Sequence, residues 1–97
     1  MERREPQSVA DVLRQMLEES SLQERMDELK AASLWSKVVG PYLATLTSQP
    51  HVKSGVMSVG VPNASLRNEL HMNRSRLREI INQFVGKEII TELRFTS

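Results

Sequence analysis

Arg74, Arg76 and Arg78 form the densest basic cluster in the chain, set in the run Arg74-Ser75-Arg76-Leu77-Arg78. A guanidinium stays charged and presents a planar fork of donors that matches phosphate oxygens, so the chemistry available here is anion recognition. On a helix turning about 100° per residue, Arg74 and Arg78 share one edge and Arg76 flanks the other. Arg74 also falls at the start of that helix, where free N–H groups favour a phosphate. The competing account is a solvated face, with these arginines paired to neighbours such as Glu79 and Asn82. Arg67, one helix earlier, and Lys53, at a hairpin, are further candidates for phosphate contact.

Other chemistries lack their residues. The chain has no cysteine, hence no disulfide framework, thiolate zinc site or cysteine nucleophile. His51 and His71 are far apart in sequence with only Glu69 near one of them, so no metal site is expected. No Ser-His-Asp set, carboxylate pair in a Gly-lined turn or Gly-rich phosphate loop can be assembled. Neither a cofactor nor an enzymatic activity is expected. Trp35 lies at helical spacing with Leu34, Val38 and Val39 and reads as a core anchor rather than a base-stacking platform.

The 97 residues carry a net charge of only +1, but the sum conceals a division. From Met1 to Leu29 four basic residues stand against eight acidic ones, and from Lys30 to Ser97 nine basic against four acidic. An acidic lead joined to a basic body suits a nucleic-acid surface on one side. Glu18, Glu19, Glu24, Asp27 and Glu28 then either steer nucleic acid to the basic side, contact a basic protein, or simply solvate a helix. The length fits a single domain, residues 7–97, behind a flexible lead, residues 1–6. No apolar run is long enough to span a membrane. The lead enters no apolar stretch of the secretory kind, so a cytoplasmic location is expected.

The elements that must position these side chains follow from periodicity. Ser8 precedes Val9, Val12, Leu13, Met16 and Leu17, an amphipathic helical set. Ser20-Ser21 interrupts it, and Ser21 with Glu24 has the form of a capping box opening a new helix. Leu22, Met26 and Leu29 continue as an apolar stripe towards Leu34, Trp35, Val38 and Val39. The spacing leaves open whether residues 21–39 are one helix or two, split near Ala31–Ser33. Gly40-Pro41 stops the run, and a short helical turn follows over Pro41–Leu46. The period then changes: His51–Lys53 and Val56–Val61 flank Ser54-Gly55, a tight hairpin with positive φ at Gly55. Asn63 caps a helix carrying Leu66 and Leu70. A break at His71–Asn73 leads into a second helix, capped by Asn73, with Leu77, Ile80, Ile81 and Phe84 inward and Gly86 at its end. Ile89–Phe95 alternates as a terminal strand with Leu93 and Phe95 inward. The order predicts an α+β domain, type II KH-like, with N-terminal helices before a three-stranded ββααβ sheet packed against helices.

Several segments in this order carry a resemblance. Leu34-Trp35-Ser36-Lys37-Val38-Val39-Gly40-Pro41-Tyr42-Leu43-Ala44 is followed by Thr45-Leu46-Thr47-Ser48 and Pro50. Then come the hairpin Lys53–Val59, the helix start Asn63–Leu70, and the closing Gly86 and Ile89–Phe95. Together, over roughly residues 8–96, they resemble the DciA family. The resemblance implies a KH-like module that binds DNA, single- or double-stranded, and engages the bacterial replicative helicase to assist its loading. Two departures stand beside it. Many relatives carry an extended basic C-terminal tail that residues 1–97 lack, so activities needing such a tail are not expected of them. The phosphate-gripping Gly-x-x-Gly of KH domains is also replaced by His71-Met72-Asn73-Arg74. The alternatives are a general RNA- or single-strand-binding module with no helicase partner, and an adaptor that binds protein alone.

Overall fold

A computed structural model describes residues 8–97 of the chain. The expected flexible lead lies outside the described residues. Helix α1 runs over Val9–Ser33, its start fixed by Ser8, whose hydroxyl accepts the Asp11 N–H at 3.1 Å. It passes through Ser20-Ser21 without a break, so the predicted capping box is not formed. A cap demands an extended backbone at Ser21, and the continuous helix keeps its main-chain ladder instead. The chain breaks later, at Leu34, giving α2 over Trp35–Val39 and, after Gly40, α3 over Pro41–Thr45.

Strands β1 (His51–Lys53) and β2 (Val56–Gly60) pair antiparallel, with Val52 opposite Met57. Ser54 and Gly55 both have positive φ, 51° and 83°, the handedness that matches the twist of a two-residue hairpin. Gly55 is a meeting point. Its N–H is received by the Glu28 carboxylate at 3.2 Å, and its carbonyl takes the N–H of Thr91 at 2.8 Å. A Cβ on Gly55 would come within 2.9 Å of Thr91 Oγ1, so both its backbone conformation and its surroundings call for glycine.

Asn63 caps α4 (Ala64–Met72) as expected, accepting the Leu66 N–H at 2.9 Å. Helix α5 covers Arg74–Val85 and ends at Gly86 in the left-handed conformation. The break falls at Asn73, but the Asn73 side chain does not cap α5. Its amide turns back and donates to the Glu69 carbonyl at 2.8 Å, closing α4 instead. Strand β3 covers Glu92–Thr96, three residues shorter at its start than the alternation predicts. The reason is Asn82, only 3% exposed, whose side-chain amide exchanges two 2.9 Å hydrogen bonds with the N–H and C=O of Ile90. A side chain thus occupies the place of a neighbouring strand before β3 begins.

The sheet order is β1-β2-β3, with β3 parallel to β2. Parallel neighbours need a crossover, which α4 and α5 supply. The result is an α+β fold with helices against a three-stranded mixed sheet. Met57, Val59 and Leu93 turn into the core with Trp35, Ile81, Ile90 and Val61. Trp35 is the anchor its spacing predicts: it is buried, its Nε1–H donates to Thr47 Oγ1 at 2.9 Å, and its ring meets that of Phe95 at 5.8 Å. Phe84 departs from its predicted inward role; it is exposed and lies 5.0 Å beneath the Lys37 ammonium. Leu22, Met26 and Leu29 also face solvent, because α1 uses its other side, at Glu28 and Ala31, to meet the domain.

Candidate nucleic-acid interface

The α4–α5 junction and β3 enclose an open groove of about 320 Å³. Arg74, Ser75 and Arg78 enter it from the first turns of α5, and His71 from the last turn of α4. Residues Thr91–Thr96 form the opposite wall. Arg74 and Arg78 share this wall because four positions on a helix return to nearly the same face.

The arginines are positioned by local contacts. Arg74 folds back so that its guanidinium donates to the His71 carbonyl at 2.8 Å and lies 3.3 Å from His71 Nε2. Arg78 reaches Glu88 at 3.3 Å and Arg94 reaches Glu92 at 3.1 Å. The hydrogen bond that Arg94 donates to the Glu92 carboxylate raises the Arg94 pKa, so this guanidinium stays fully charged. Both pairs are solvent-screened surface ion pairs with exposed carboxylates, and phosphate oxygens can compete for their donors.

The groove also holds main-chain groups. Glu92 donates its N–H to Gly55, and the Thr96 carbonyl accepts from Val61. In a parallel ladder alternate residues turn their peptide groups to the same neighbour. Glu92, Arg94 and Thr96 therefore face β2, while the peptide groups of Leu93 and Phe95 face the open side, where β3 has no strand neighbour among the described residues. The groove combines permanent positive charge, free donors and acceptors, and the half-buried Phe95 ring. Guanidinium donors and open peptide groups can bond phosphate oxygens and planar polar groups.

Of the sequence candidates, Arg74 and Arg78 come together here. Arg67 stands next to the groove, lining a smaller recess with His71 and Phe95, and its guanidinium donates to the Val61 carbonyl at 2.9 Å. That bond ties α4 to the end of β2. Arg76 is exposed and does not line the groove, and Lys53 lies on β1 at the other side of the sheet. Arg94 was not among the candidates. Its alternation with Leu93 and Phe95 places it outward, but only the pairing of β3 with β2 brings it beside α5. Among the described residues, no three His, Asp or Glu side chains cluster to hold a metal ion, and no helix is long and apolar enough to cross a membrane.

Comparison with known proteins adds two findings. The family model described as Dna[CI] antecedent, DciA, matches residues 8–95. A UPF0232 protein of Mycobacterium marinum (strain ATCC BAA-535 / M) is 26% identical over 93 residues, which cover 96% of this chain and 50% of that protein. The chain thus spans about half the length of this relative.

Proposed function

The chain belongs to the DciA family, which is associated with helicase loading, and from that premise we propose that it is a non-catalytic nucleic-acid-binding module that engages the replicative DNA helicase in the cytoplasm. The observation that carries the nucleic-acid part is the groove at β3, where Arg74, Arg78 and Arg94 line the same space as the peptide groups of Leu93 and Phe95, which no described strand pairs. The KH-like reading is supported by the element order, helices, two strands, two helices and a strand. Because His71-Met72-Asn73-Arg74 replaces the glycine grip, the arginines supply the phosphate contacts. Such contact is electrostatic and salt-sensitive.

A fluorescently labelled DNA oligonucleotide, titrated over a salt series, tests this part. Affinity should fall log-linearly with salt, and removing each phosphate-contacting arginine should reduce the slope by about 0.7 on a single strand. A slope unchanged in Arg74→Ala/Arg78→Ala would remove the groove from consideration. Pull-down of the chain with its host's purified replicative helicase tests the partner. Oligonucleotide binding without helicase binding would favour the general nucleic-acid module, and the reverse would favour the protein-only adaptor.

A further inference from the structure

Every residue from the cap Ser8 through Met26 of α1 is exposed. This free half carries Val9, Val12, Leu13, Met16 and Leu17 on one side, with Leu13 54% and Leu17 68% accessible. Ala31, eighteen residues or about five turns beyond Leu13, lies on the same side of the helix. The free stripe therefore continues the very face by which α1 meets its own domain, yet none of the described residues covers it. A contiguous apolar face of this kind, bordered by polar residues, marks an interaction surface.

Its charge selects the occupant. The free half holds Asp11, Glu18, Glu19 and Glu24 against Arg14 and Arg25, and Arg14 already sits 3.6 Å from Asp11. Two such helices side by side would bring like charges together, which costs energy. The basic groove at β3 has the complementary character: Arg74, Arg78 and Arg94 around the half-buried Phe95 ring. Within one molecule the two surfaces do not meet. Helix α1 packs against β1 and α5 only through its second half, from Asp27 onward, while residues 8–26 are exposed and do not reach the groove along β3.

We propose that the free half of α1 docks into the β3 groove of a second copy of this chain, its apolar stripe over Phe95 and the glutamates that flank that stripe, Glu19 and Glu24, against the arginines. The contact is heterologous, a helix on one copy and a groove on the next, so association is head-to-tail. The attraction is partly ionic and weakens with salt.

Sedimentation of the purified full chain at up to about 100 µM, in low and high salt, reads the association directly. The expected result is concentration-dependent association at low salt. Glu19→Lys/Glu24→Lys and Arg74→Glu/Arg78→Glu should each weaken it by about tenfold or more, because like charges then face each other. Mixing the two variants should restore association, since lysines on one helix then meet glutamates in the other groove. Circular dichroism confirms that these surface variants keep their fold. A wild-type chain that stays monomeric throughout would overturn the proposal. So would association that survives reversal of the groove arginines, or a mixture that remains monomeric.

Discussion

The two sides of the sheet are built for different ends. At the β1 side, α1 lies against the hairpin, and the 5% exposed Glu28 carboxylate receives the Gly55 N–H. Asp27 and Lys87 join α1 to the end of α5 at 2.7 Å. At the β3 side the strand has no strand neighbour beyond it among the described residues, and an open groove lined by Arg74, Arg78 and Arg94 lies there. An exposed strand edge is a liability unless charge guards it, and here the guarding arginines are the same groups that can hold phosphate. One side of the sheet is committed to stability and the other is held ready for contact. Substitutions at the two sides should therefore separate folding from binding.

The largest effect is expected at the point that holds β3 in place. Asn82→Ala strands the N–H and C=O of buried Ile90, so stability should fall by about 3 kcal/mol, read as a lower urea midpoint. An unchanged midpoint would mean that the approach to β3 is held by other contacts. Next comes the β1 side. Glu28→Ala leaves the Gly55 N–H without its acceptor and should cost about 1–3 kcal/mol, with Glu28→Gln recovering part because an amide oxygen still accepts. At the open side the sign of the comparison reverses. Arg74→Ala/Arg78→Ala should leave the unfolding midpoint within about 0.5 kcal/mol of the parent while weakening oligonucleotide binding about tenfold. Comparable losses in both readouts would erase the distinction between the sides. A smaller gain is expected at the hairpin: Ser54→Asn places a residue that tolerates positive φ where serine is strained, stabilising by a few tenths of a kcal/mol in thermal melts.

The smallest effect concerns pH. The hydrogen bond from Lys87 lowers the Asp27 pKa below its usual 3.8, opposed by desolvation and aided by Gln23 and the charges of Lys87 and Lys30. A carboxylate whose pKa is depressed on folding binds its proton more readily when unfolded. Its stabilisation is present above the unfolded pKa and is lost as pH falls through the lower folded value. Asp27→Asn should thus lose stability at neutral pH and flatten the decline below pH 3.8, as followed by denaturant melts across an acid series.

Much of the fold is written in local spacing. The hairpin at Ser54-Gly55, the Asn63 cap, the break before Arg74 and the Gly86 stop all depend on residues within a few positions of one another. What escapes the sequence depends on distant partners. Ser21 and Glu24 have the composition of a cap, but the helix carries on because it docks by residues further along. Asn73 occupies a cap position and bonds backwards. Ile89 and Ile90 alternate like a strand until Asn82 takes their peptide groups. The groove divides in the same way. Arg74 and Arg78 share a face by helical period alone, whereas Arg94 joins them only through the register of β3 on β2, and Leu22, Met26 and Leu29 look like core until the docked face of α1 is known.

The convergence on Gly55 has a consequence for how the chain reaches this state. Its hairpin closes locally, on a timescale of about 1–10 µs, whereas the two segments that bond to it arrive from far away in sequence. Glu28 lies 27 residues before it and Thr91 lies 36 residues after it. Bringing such segments together carries a loop-closure cost that the hairpin itself does not. A preformed turn offers both late arrivals one fixed address. Slowing that turn should delay the folding of the entire domain, and refolding traces of turn variants should register the delay more strongly than their unfolding traces.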